Sequence, residues 1–130
     1  MSDHLLLALC AAHSLLFAAF HLAFWRLFRW RESLPRMKRV DRAILQILNL
    51  RLSYVFLGIG GLCLCFPNEL VDTALGRTVM LGMTGFWLGR LVEQFVFLRV
   101  NHAGVHALSA LMVLGTLLFA WPPLRALLIA

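Results

Sequence analysis

The chain has 130 residues, 62% of them hydrophobic, with a mean hydropathy of +0.85 and a formal net charge of +6. A soluble domain of this size has too little interior to hide so much apolar surface, whereas a lipid-embedded bundle has no need to hide it. The charge does not point to nucleic acid either, because seven of the twelve Lys and Arg lie between Arg26 and Arg42, in one short loop between apolar segments.

The first apolar segment covers 5–25, and at about 1.5 Å per residue it spans ~31 Å, the thickness of a hydrocarbon core. Met1-Ser2-Asp3-His4 has no basic n-region, and Leu9 is too bulky for a lipoprotein cleavage box at Cys10. The segment is therefore expected to stay as a membrane helix. The basic loop, 26–42, follows. Pro35 prevents one continuous helix there, and Trp25 and Trp30 with the arginines read as an interfacial anchor facing anionic headgroups. A second segment covers 43–66 and ends at Pro67. After a polar turn through Arg77 come a third segment, 78–98, and a fourth, 103–121, which Pro122-Pro123 is expected to close.

These elements predict an all-α fold: a single domain, 1–130, forming an integral membrane bundle of four transmembrane helices. Placing the basic loop in the cytoplasm leaves Arg99 on the same side and both termini on the non-cytoplasmic face. The expected setting is a bacterial inner membrane. Gly82, Gly85 and Gly89 on segment three, with Gly85-x-x-x-Gly89 as a small-xxx-small pair, and Gly58, Gly60 and Gly61 on segment two, predict close helix contact within or between chains.

This topology draws polar residues together near the cytoplasmic ends of the segments. His21, Asn49, Glu93 and His106 all fall within ~5–8 Å of those ends, and Arg90 lies ~12 Å deep. Arg90 is spaced i,i+3 from Glu93 and i,i+4 from Gln94, so the three are helix neighbours. An arginine at bilayer depth costs about 2.5–3.5 kcal/mol on the gentler insertion scales and is expected to have a partner. Two readings follow. In one, Arg90 pairs with Glu93 while Asn49 and Gln94 join helices through hydrogen bonds. In the other, His21, Asn49, Arg90, Glu93, Gln94 and His106 surround an ion, a proton or a small anion. Arg51 is a secondary candidate, because it can snorkel to headgroups.

A second grouping carries soft ligands: Cys10, His13, Cys63, Cys65, Met80 and Met83 suit a metal such as Cu(I), although core packing explains them as well. Cys63 and Cys65 point to different helix faces, which opposes a shared metal. Three cysteines make no disulfide framework. His13 and His21 lie about 12 Å apart along the axis and cannot ligate one haem iron together. A quinone pocket lined by Phe17, Phe20, Phe24 and His21 is a further possibility. No metal or other cofactor is required by these patterns.

Phe24-Trp25-Arg26-Leu27-Phe28-Arg29-Trp30, then Leu48-Asn49-Leu50-Arg51-Leu52, then Phe86-Trp87-Leu88-Gly89-Arg90-Leu91-Val92-Glu93-Gln94, resemble a group of small, uncharacterised bacterial inner-membrane proteins with four predicted helices. The resemblance covers most of the chain in outline. It implies a bacterial membrane setting and draws attention to Asn49, Arg51, Arg90, Glu93 and Gln94, with no activity to transfer. In size the chain is similar to small multidrug exporters and fluoride channels. However, the first segment has no acid beyond Asp3, where such exporters carry a mid-helix glutamate.

No Gly-rich phosphate loop, zinc-protease motif or pair of carboxylates is present, so no enzyme is expected. The leading functional expectation is a non-catalytic accessory or structural membrane subunit that packs into a homo-oligomer or a larger membrane complex. The alternatives are a small oligomeric permease or channel using Arg90, Glu93 and His21, and a membrane redox protein holding haem, quinone or copper.

Overall fold

The computed structural model describes residues 3–129, and every regular element among them is helical. α1 (Asp3–Leu22) buries Leu6, Leu7, Cys10, Ala11, His13, Ser14, Phe17 and Ala18, the three- and four-residue spacing of one helix face. It stops at Ala23, short of the expected residue 25, and the chain turns through α2 (Phe24–Leu27). Arg29 then adopts a left-handed backbone, φ 50°, before α3 (Trp30–Ser33) and a 3-10 turn at Leu34–Arg36 that contains Pro35. The basic loop is thus a series of short helical turns, with Trp30 and Leu34 buried beneath it.

α4 (Arg39–Cys65) begins four residues before the expected start, ahead of the apolar run. α5 (Pro67–Asp72) starts on Pro67, whose missing N–H costs nothing at a helix start. Thr73 caps α6 (Ala74–Phe97): its hydroxyl accepts from the Gly76 N–H at 2.9 Å. That cap moves the start of the third long helix from 78 to 74. At Gly76 a Cβ would come within 2.1 Å of the Glu69 carbonyl oxygen, so only glycine fits the crossing of α5 and α6.

α7 (Ala103–Ile129) passes straight through Pro122 and Pro123, contrary to the expected stop at 121. A proline has no N–H for the carbonyl four residues earlier. For Pro122 that carbonyl belongs to Leu118, and the Cys10 thiol donates to it at 3.6 Å. The orphaned acceptor is satisfied from another helix, which is how lipid-embedded helices tolerate proline.

Three of these helices, Asp3–Leu22, Arg39–Cys65 and Ala103–Leu128, are long and apolar enough to cross a membrane. The expected third segment, now α6, is not among them. It is long enough, about 36 Å, but Arg77, Arg90, Glu93, Gln94 and four glycines lower its apolar character.

The long helices associate as two pairs, α1 with α4 and α6 with α7, and α1 also touches α7. Among the described residues no Cα of α4 comes within 8 Å of one in α6. Aromatic side chains fill that gap instead: the Phe56 and Trp87 rings stack 5.3 Å apart, within 9° of parallel, and Phe17 packs on Trp87 at 4.5 Å. Within the chain, the glycines singled out make one close approach. A Cβ added at Gly58, Gly61, Gly82, Gly85 or Gly89 would meet nothing within 4 Å. Of the glycines singled out, only Gly60 lies at a close approach, 3.0 Å from Leu15. Gly115 on α7, which the spacing did not single out, is tighter: a Cβ there would lie 2.6 Å from the His13 ring.

Candidate functional site

The gap between the two helix pairs opens, at the end nearer the basic loop, into a cavity of about 270 Å³. Phe17, Phe20 and His21 of α1 border it, with Leu52 and Phe56 of α4, Leu108 and Met112 of α7, and Phe24 of α2. α6 supplies Phe86, Trp87, Arg90 and Gln94, which its three- and four-residue spacing brings onto one face. Half of the lining residues are Phe or Trp, leucines and a methionine supply most of the rest, and the polar groups come from α1 and α6.

His21 donates from Nδ1 to its own helix, to the Phe17 carbonyl at 2.8 Å. This fixes the tautomer, leaving Nε2 as an acceptor with no partner among the described residues. Its ring stacks on Phe24 at 4.6 Å. Because α1 ends one residue later, the His21 carbonyl has no partner within its own helix, and the Asn49 amide donates to it at 3.0 Å. Asn49 is buried and ties α4 to the end of α1 without bordering the cavity. Gln94, 1% exposed, ties α6 to α7: its Nε2 donates to the Val105 carbonyl at 3.0 Å and to Ser109 Oγ at 2.9 Å. The Oε1 of Gln94 and the Oδ1 of Asn49 are buried without partners.

Arg90 is half-buried and borders the same cavity as His21. Its expected pairing with Glu93 is not formed. Glu93 is exposed on another part of α6, and the ion pairs among the described residues join Arg29 to Glu32 and Arg125 to Asp3. A half-buried guanidinium with room beside it at the cavity has no need to turn toward an exposed acid. His106 also departs from the expected layer: it is exposed and bonds Asn101 across 2.9 Å, so Ser109 is the α7 side chain that joins the polar group. Arg51 is exposed, its guanidinium 6.0 Å from the Tyr54 ring centre. The structure therefore brings together His21, Arg90 and Gln94, with Asn49 behind them, and leaves Glu93, His106 and Arg51 outside.

The soft-ligand group does not converge. Among the described residues no three His, Cys, Asp or Glu side chains are placed to hold a metal ion. Cys65 is exposed, on the face opposite Cys63, as helical spacing requires. Cys10, Cys63, Met80 and Met83 belong to the buried core. His13 is clamped among Phe17, Trp87 and Phe119, and its Nε2 donates to the Leu111 carbonyl at 2.9 Å.

Of the aromatic group read from the sequence, Phe17, Phe20, Phe24 and His21 all border the cavity. Phe56, Phe86 and Trp87 were not singled out as pocket residues. For the α6 pair the signal was present in the i,i+3 and i,i+4 steps from Trp87 and Phe86 to Arg90. Phe56 had a comparable marker, since it lies three residues from Ser53 and seven from Asn49 on one face of α4. Comparison with protein-family models, curated proteins and solved structures gives no match to this chain.

Proposed function

We propose that this chain is a non-catalytic accessory protein of a bacterial inner membrane that holds a small lipophilic ligand between its two helix pairs. In this reading α6 crosses the bilayer beside α1, α4 and α7. The basic loop faces the cytoplasm and its anionic headgroups, and both termini lie outside. The arginine-rich loop supports the orientation. The length of α6 and its packing against α7 support a fourth crossing.

The observation that carries the reading is the cavity itself, about 270 Å³, bounded by all four long helices and bordered by an arginine without an ion-pair partner among the described residues. An apolar pocket with a few convergent polar groups is the usual form of a small-molecule site. Assembly into a homo-oligomer or a larger complex remains part of the proposal, with the open glycine face of α6 available for it.

The test is native mass spectrometry and lipid extraction of protein purified from its own membranes in mild detergent. Wild type is expected to carry a bound lipophile in stoichiometric amount. Leu108→Trp, which fills the cavity, is expected to fold and to lose it. Equal lipid content in both proteins would sink the ligand-holding reading.

A further inference from the structure

The donor and acceptor pattern at the polar side of the cavity narrows the ligand class. We infer that the cavity takes a lipophilic quinol, a single hydroxyl-bearing ring with an aliphatic tail, an inference that rests on the ligand-holding reading above.

Three polar groups border the cavity, and they are not alike. Arg90 is a pure donor with a fixed positive charge. His21 presents Nε2 as an acceptor, because Nδ1 is committed to the Phe17 carbonyl. Gln94 has spent its amide N–H groups on Val105 and Ser109, and its Oε1, though unpartnered, is buried, which leaves His21 Nε2 as the accessible acceptor. A carboxylate or a fully ionised phosphate would satisfy Arg90 but set its lone pairs against that of His21 Nε2. A ring hydroxyl answers both kinds of group: its oxygen accepts from Arg90 and its hydrogen is donated to His21 Nε2. The oxidised quinone has carbonyl oxygens alone and meets only Arg90.

The remainder of the site fits the remainder of such a molecule. The volume lies just under the range of about 300–1,000 Å³ for drug-sized ligands, which suits one ring system. Phe20, Phe24 and Phe86, partly exposed at the cavity, give a flat ring aromatic surfaces to pack on. A second, wholly apolar groove of about 100 Å³ shares Phe17, Phe20 and Leu108 with the cavity and continues past Leu16 and Leu111, between α1 and α7. An aliphatic tail leaving the ring has a path there toward lipid.

The experiment uses the full-length protein in detergent, with Trp87 left as the sole tryptophan by Trp25→Phe, Trp30→Phe and Trp121→Phe. Thermal stabilisation of the unmodified protein by the same probes serves as the parallel measurement. Decylubiquinone quenches a tryptophan that it contacts, and the reduced form, added without oxygen, is read by the emission it restores. The expected result is saturable quenching, with the reduced form binding at least about tenfold tighter, the worth of one good buried hydrogen bond. His21→Phe is expected to erase that preference, and Arg90→Gln to weaken both forms about tenfold, with Arg90→Lys recovering part of the loss.

Equal affinity for the two forms in wild type would overturn the quinol inference. So would stabilisation by palmitate with no response to either quinone form, an outcome that leaves the ligand-holding reading standing. No stabilisation by any of these probes, together with equal lipid content in wild type and Leu108→Trp, would overturn both.

Discussion

His13 and His21 stand two turns apart on α1, share Phe17 as a neighbour, and live in opposite circumstances. His13 is 5% exposed, gripped by rings on three sides, and bonded to a carbonyl of α7. His21 bonds only to its own helix and faces an opening. The difference originates in the partner helix. Opposite His13, Gly115 lets α7 close onto the ring. Opposite His21, the bulky pairing of Phe56 with Trp87 holds α4 and α6 apart. One histidine is therefore a fastener between helices and the other a group kept available. The type of side chain does not distinguish them; the size of the residue facing each one does.

That contrast is open to direct attack in detergent unfolding experiments. The largest effect is expected from His13→Ala, which removes a cross-helix hydrogen bond and opens a void, at a cost of about 3 kcal/mol. His21→Ala borders an existing cavity and is expected to cost under about 1 kcal/mol. Equal costs for the two would dissolve the comparison. Gly115→Ala drives a methyl into the His13 and Trp87 rings and should destabilise by about 2 kcal/mol, while Gly85→Ala, with open space at its Cβ, should be neutral or slightly stabilising. A neutral Gly115→Ala would mean that the outer helices are not clamped as described. Gln94→Leu deletes both donors to α7 and is expected to cost about 1–2 kcal/mol. The smallest effect sharpens the picture most: a double-mutant cycle on Arg90→Ala and Glu93→Ala should show coupling within about 0.5 kcal/mol, because no ion pair joins them. A coupling well above that would restore the strut and remove Arg90 from the cavity.

Much of the architecture was legible in the sequence. The apolar runs, the clustered arginines and the prolines at 35 and 67 mark where helices run and where the chain turns. Pro122-Pro123 misled because a proline ends a helix only when nothing else satisfies the carbonyl it orphans, and the Cys10 thiol lies 108 residues away in the chain. The third segment was placed by apolar content alone and missed the Thr73 cap. At the candidate site, helical spacing correctly brought Arg90 and Gln94 onto one face, but it could not say whether Arg90 turns to Glu93 or to the cavity. That choice depends on a void, and a void depends on how far apart α4 and α6 are held, which no local pattern encodes. His106 was placed by depth alone; its bond to Asn101 shows that depth without azimuth does not locate a side chain.

The proline in α7 also has a consequence in time. During synthesis α1 emerges before α7. Until the two meet, the Leu118 carbonyl has neither an N–H from its own helix nor a thiol from α1, and hydrocarbon offers it nothing. Docking of α1 onto α7 offsets that penalty, and the Asp3–Arg125 ion pair lies at the same seam. The bundle thus closes end to end, and a nascent chain halted before residue 118 lacks the acceptor that would lock its first helix in place.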